Sequence, residues 1–261
     1  MAQAGLSPEP DRTSPEPGKP RRVRPVEPPV PEHNHRDVKG GAARAAVFGI
    51  SDGLVSNVSL ILGVAGAAAG PGPVRLAGLA GLVAGSCSMA AGEYVSMRAQ
   101  RELFEKELEI ERTEIRRRPL AEMRELTHLY ESRGVDPAMA KELASVMMRD
   151  PETALDTHAR EELGLDPASL GSPIQAAVSS FVAFALGAVL TLIPWYITRG
   201  RVALLASIAI GVIAAIAVGA GLSLFTARRW WYSAGRQLLL AAVAAAITYG
   251  IGSALGASGV A

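Results

Sequence analysis

Two carboxylates stand apart from the other acids of this chain. Seventeen of its 25 acidic residues lie between Glu102 and Asp166 and six in the first 37 residues, leaving only Asp52 and Glu93 inside long apolar stretches. A carboxylate in a lipid-spanning helix costs roughly 2.5–3.5 kcal/mol on insertion scales, so it normally lines a polar path for an ion or a proton. Asp52, Ser56, Ser59 and Gly63 are spaced i, i+4, i+7 and i+11, on one helical face. Serine and glycine also join membrane helices, so part of that stripe reads equally as a helix–helix interface. Met89, Glu93 and Met97 share a second face, beside a small-residue face of Gly81, Gly85, Ser88 and Gly92. A thioether next to a carboxylate suits a borderline divalent transition metal better than Mg²⁺ or Ca²⁺, which prefer all-oxygen sites. Cys87 points to a different face and reads as a small packing residue. As the lone cysteine it excludes an intrachain disulfide and a cysteine zinc site.

The acid-rich segment offers a second kind of chemistry. Glu111 and Glu114 are spaced i, i+3, Glu122 and Glu125 repeat that spacing, and His158 and Glu162 are spaced i, i+4. Each pair can present two ligands to one ion. No pair is specific alone, because Glu-x-x-Glu is common on solvated helices. Twelve basic residues share residues 98–172, so many of these acids belong to surface ion pairs of little energetic weight.

These residues need helices to hold them. Five apolar spans are expected, at about Ala45–Ala69, Val74–Met97, Ile174–Ile197, Val202–Thr226 and Gln237–Leu255. Each is near the ~20 residues that cross ~30 Å of hydrocarbon. Gly70-Pro71-Gly72-Pro73 separates the first two as a turn. The second span continues without a breaker to Arg118, where Pro119 stops or restarts it, and Asp136-Pro137 and Asp150-Pro151 open two further helices. No strand pattern is present. The expected fold is an all-α membrane protein with five transmembrane helices and a helical cytoplasmic insertion between helices two and three. Residues 1–40 carry nine of the 17 prolines and read as a disordered cytoplasmic tail. Residues 41–98 hold transmembrane helices 1 and 2, residues 99–172 the cytoplasmic metal-binding insertion, and residues 173–261 transmembrane helices 3 to 5.

Basic residues set the orientation. Arg36, Lys39, Arg44, Arg98, Arg101, Arg228, Arg229 and Arg236 flank one side of the spans, and only Arg75, Arg199 and Arg201 the other. The N-terminus is therefore expected in the cytoplasm and the C-terminus outside. A polar, proline-rich start gives no signal-peptide pattern. A net charge near +1 points to no nucleic acid, and no phosphate loop, dinucleotide fingerprint or nucleophile elbow is present.

Two stretches carry a family resemblance. Phe48-Gly-Ile-Ser-Asp52-Gly-Leu-Val-Ser56 and Gly85-Ser-Cys-Ser-Met89-Ala-Ala-Gly-Glu93-Tyr-Val-Ser96 resemble the two signature helices of the vacuolar iron transporter family. The likeness continues through Glu162-Leu-Gly-Leu165, Gly235-Arg-Gln237 and Thr248-Tyr-Gly250. It implies a homodimer with five membrane helices per subunit that exports Fe²⁺ from the cytosol against inward protons. It places the residues matching Asp52 and Met89 on the translocation path between subunits. It makes metal ligands of Glu111, Glu114, Glu122, Glu125 and Glu162. In plant and fungal members two methionines precede the last of these glutamates, and here those positions hold His158 and Ala159. A neutral imidazole still ligates metal, so His158 joins the expected set.

The expected function is export of Fe²⁺, with Mn²⁺ as a further substrate, by proton antiport across a bacterial plasma membrane. Asp52, Ser56, Met89 and Glu93 are the expected path, with Asp52 and Glu93 exchanging protons for metal. The metal is substrate and domain ligand, and no prosthetic group or covalent chemistry is implied. One alternative is a membrane-anchored metal sensor or scaffold that transports nothing. Another is a di-iron oxidase, but Glu125-x-x-His128 is the insertion's single Glu-x-x-His match.

Overall fold

The computed structural model describes residues 41–67, 70–164, 171–226 and 228–258. The expected tail and residues 165–170 of the insertion lie outside the described residues. Eight helices account for the secondary structure among the described residues: α1 (Gly41–Gly66), α2 (Pro71–Arg117), α3 (Pro119–Ser132), α4 (Pro137–Met147), α5 (Pro151–Glu161), α6 (Pro173–Ile197), α7 (Gly200–Thr226) and α8 (Trp230–Ala257). Five of them, α1, α2, α6, α7 and α8, are long and apolar enough to cross a membrane.

Helix starts follow the proline signals. α2 through α6 each begin with proline in the first turn, where the missing N–H would have had no helical partner. Asp136 accepts from the amides of Ala138 and Met139, and Asp150 from Thr153 at 2.8 Å, so both Asp-Pro pairs are N-caps. The Gly70–Pro73 turn is shorter than its composition suggests, because α2 already begins at Pro71. α8 begins seven residues before the expected span, so Trp230, Trp231 and Tyr232 lie in its first turn rather than ahead of it.

α1 is the centre of the membrane bundle and packs against α2, α6, α7 and α8. Its most extensive packing is with α6. A side chain on Gly53 would collide with the Phe184 backbone, and one on Gly187 with Ile50 O, so the two backbones meet directly. α2 is the most extended element: 47 residues without a break, its first half against α1 and α6 and its last turns against α3 and α5. That continuity makes the insertion a rigid extension of a membrane helix. Leu126, Tyr130, Ala140 and Ala144 join α3 to α4, while Ile115, Ala154 and Leu155 join α2 to α5. The Arg133 guanidinium closes the unit by donating to the Glu161 carboxylate and, at 2.9 Å, to the Glu161 carbonyl.

Candidate functional site

The residues of the insertion separate into two populations. Arg98–Glu102, Arg101–Glu105, Lys106–Glu109 and Arg160–Asp156 are exposed pairs within one helix. They keep the surface soluble and contribute little to stability. Glu111, Glu122 and His158 are different: they are 6%, 5% and 1% exposed. Each offers a ligand atom within 4.8 Å of the others.

Three helices deliver them. Glu111 rides on the last turns of α2, anchored by Ile115 against Leu155. The chain reverses at Arg118, with φ −135° and ψ 47°, and Pro119 starts α3, so that Glu122 returns beside Glu111. α5, capped by Asp150, supplies His158 and, just past its last turn, Glu162. His158 Nδ1 lies 3.1 Å from Glu111 Oε1 and 3.3 Å from Glu162 Oε2, with hydrogen-bonding geometry only to the latter. Glu111 Oε1 and His158 Nε2 are buried without a hydrogen-bond partner. Unpartnered buried polar atoms are costly, and two of them belong to this cluster.

Burial pushes the Glu111 carboxyl up to about 7, with repulsion from Glu162, Glu122 and Glu114 adding to it and His158 opposing it. Burial likewise raises Glu122, followed by repulsion from Glu125. Glu114 and Glu125 are exposed, so they stand at the rim within electrostatic reach, while the Glu162 side chain is 34% exposed at the edge. Arg112 is turned away to Glu152 at 3.9 Å. Two carboxylates and an imidazole form a donor set that fits a divalent transition metal better than a hard cation. His128 is 85% exposed and stands apart from the cluster.

The second site lies in the membrane bundle, on the same helix. A groove of about 350 Å³ is lined by Asp52, Ser56, Met89 and Glu93, with Gly81, Gly85, Ser88 and Gly92 along one wall and Phe184 as floor. All four expected path residues therefore face one space. Ser56 Oγ donates to Asp52 Oδ1 at 2.7 Å. Arg44 reaches Glu93 at 3.4 Å. Eighteen residues of continuous helix separate Glu93 from Glu111, about 27 Å at the α-helical rise.

The structure resolves the stripe that was open to two readings and differs from the expectations for Met97 and Cys87. The Asp52–Gly63 stripe divides, because the neighbours of α1 change along its length. Asp52 and Ser56 face the groove, whereas Ser59 is buried and its carbonyl accepts from Thr248 Oγ1 at 2.8 Å, with Gly63 against Thr248 as well. Met97 leaves the Met89–Glu93 face to pack on Gly41 and Gly171 beside Ala45 and Ala176. Cys87 is exposed rather than packed.

Sequence reasoning missed three residues. In the sequence Arg44 is only an orienting charge, whereas in the structure it pairs with Glu93. Gln237 is buried and donates to Ser51 Oγ at 2.6 Å, next to Asp52. Asn57, an amide inside an apolar run, was a legible signal, since such a group must find a partner in lipid.

Fold and site together define a multi-pass helical membrane protein with a polar intramembrane groove and a buried ligand cluster on one continuous helix. The chain belongs to the VIT family, whose model matches residues 43–253, a range that holds both sites. It is similar to a vacuolar iron transporter of Acanthamoeba castellanii, 40% identical over 159 residues, or 60% of this chain and 57% of that protein. It is also similar to vacuolar iron transporter 1 of Oryza sativa subsp. japonica, 29% identical over 227 residues, or 85% of this chain and 90% of that protein. Vacuolar iron transporter 1 of Eucalyptus grandis is 30% identical over 188 residues, or 72% of this chain and 76% of that protein. The chain is thus a membrane transporter of metal ions and not an enzyme.

Proposed function

We propose that this transporter exports Fe²⁺, and Mn²⁺ as a second substrate, from the cytosol in exchange for protons. One observation carries the reading. A single unbroken helix, α2, bears Met89 and Glu93 in the membrane groove and Glu111 in the buried cluster. The names of the relatives add iron to it.

In this reading the insertion faces the cytosol and concentrates metal at Glu111, Glu122, His158 and Glu162, with Glu114 and Glu125 attracting ions at the rim. The ion then enters the groove. Asp52, steadied by Ser56, supplies carboxylate oxygen and Met89 a soft sulfur. Asp52 and Glu93 are the groups that exchange a proton for the ion. The N-terminus is cytoplasmic and the C-terminus outside. The functional unit is a homodimer, a reading supported by the groove lying along a stretch of α2 that is largely exposed within one chain. The alanine- and arginine-rich composition supports a bacterial plasma membrane.

Proteoliposomes with an imposed pH gradient and a panel of divalent metals test this. Uptake of Fe²⁺ or Mn²⁺ that follows the gradient, with proton counter-movement, is the expected result. Gradient-independent uptake overturns the antiport, and uptake no faster than in protein-free vesicles overturns transport itself.

A further inference from the structure

Behind Gly81, one of the residues lining the groove, lies a buried amide. Asn57 is 1% exposed, and its Nδ2 donates to the Ala188 carbonyl of α6 at 2.7 Å. That carbonyl also accepts from Thr191 Oγ1 at 3.1 Å, and Thr191 O accepts from Ser207 Oγ at 2.8 Å. The bond fixes which way the amide points, because Oδ1 turned toward Ala188 O would set two acceptors against each other. Oδ1 consequently faces α2, where it is buried and has no partner. It lies 3.0 Å from where a side chain on Gly81 would begin, and Gly81 lines the groove. Leu60 covers the same glycine. Past this layer the next surface hollow of α1, between Ser59, Gly63 and Thr248, is almost wholly apolar.

An orphaned amide oxygen in hydrocarbon is expensive, and a helix-joining role would be met by Nδ2 alone. An oxygen oriented by its own amide nitrogen, behind the glycine that lines the groove, is preorganised for a cation. Along α1 it lies five residues past Asp52, about 7.5 Å along the axis and about 140° around it, so it approaches the groove from behind Gly81 rather than from the Asp52 face. We propose that Asn57 Oδ1 is a further ligand for the transported divalent cation, the next oxygen along α1 after Asp52 and Ser56, and that Leu60 and Gly81 close over it in the conformation described. This rests on the reading of the groove as the transport path. A small separation of α2 from α1 then uncovers Oδ1, and the missing side chain at position 81 keeps the approach open.

The test uses the full chain in proteoliposomes with Mn²⁺. Asn57→Leu removes the oxygen and the donor. Asn57→Asp keeps an oxygen but loses the donor. Gly81→Ala leaves the bond to Ala188 in place and sets a methyl group over Oδ1. Loss of one good ligand to a charged ion predicts uptake by Asn57→Leu about tenfold or more below wild type. Gly81→Ala should be slowed several-fold, and Asn57→Asp should exceed Asn57→Leu. Wild-type uptake by Asn57→Leu or by Gly81→Ala overturns the proposal. Should Asn57→Leu fail to fold, Gly81→Ala decides alone. Wild-type protein that moves neither Mn²⁺ nor Fe²⁺ faster than protein-free vesicles fails the transport reading itself and is thereby distinguished from failure at Asn57.

Discussion

His158 Nδ1 stands 3.1 Å from Glu111 Oε1, with both side chains more than nine-tenths buried, and so joins α5 to the far end of the helix that lines the membrane groove. The pair is short of charge balance, because Glu122 and Glu162 lie beside it. In the proposed reading a divalent cation balances this charge.

Glu111 gives the pH dependence. Its folded pKa of about 7 lies above the ordinary 4.5, chiefly through burial. A raised carboxylate contributes stability that is complete below the ordinary value and is lost as pH rises through the folded value. The metal-free protein is therefore expected to melt at lower temperature at about pH 7 than at about pH 4.5. Added Mn²⁺ should reverse the loss by mass action. Glu111→Gln should shrink the pH-linked fall, leaving the part due to Glu122, and remove the metal-induced rise. Thermal unfolding of the detergent-solubilised full chain, with and without metal at the two ends of this window, checks it. Equal pH dependence in wild type and Glu111→Gln would exclude Glu111 as the source.

His158 is expected to supply the nitrogen of the cluster. His158→Leu keeps the site filled but removes the ligand, so metal affinity should fall about tenfold or more, by analogy with the cost of disturbing a metal shell. His158→Met restores a soft donor and should recover Fe²⁺ binding in part. Calorimetric titration of the full chain measures both, and unchanged affinity in His158→Leu would return the residue to packing.

Asp52 is expected to be essential, with Ser56 in support. Asp52→Asn keeps the shape but can neither carry charge nor exchange a proton, and should abolish uptake. Ser56→Ala removes only the 2.7 Å hydrogen bond to Asp52 and should cost a few-fold in rate. Initial rates in proteoliposomes rank the two. Asp52→Asn working at the wild-type rate, or Ser56→Ala proving the more damaging, would reverse the assignment.

Met89→Leu is nearly isosteric and should leave the melting temperature within the small range of volume-conserving swaps. If the thioether binds metal, Fe²⁺ uptake should slow while stability holds. Parallel uptake and melting curves separate ligand from packing residue, and unaltered uptake settles it as packing.

The sequence by itself determined the helices. Apolar runs of membrane length, prolines at helix starts and Asp-Pro caps are local signals, and they placed the helices within a few residues, save the start of α8, which lies seven residues earlier than its apolar run. The periodicity also put Asp52 with Ser56 and Met89 with Glu93, because residues one turn apart share a helix face whatever surrounds the helix. Only the tertiary structure decided which face meets what. Ser59 and Gly63 lie on the Asp52 stripe yet turn to α8, and Met97 shares a face with Glu93 yet packs on Gly41. From sequence the glutamates of the insertion were indistinguishable. Glu111 and Glu122 differ from their neighbours because α3 folds back at Arg118 and α5 closes over them, excluding water from two carboxylates and a histidine far apart in the chain. Burial is a property of what covers a residue, and that cover comes from segments whose position no local pattern encodes.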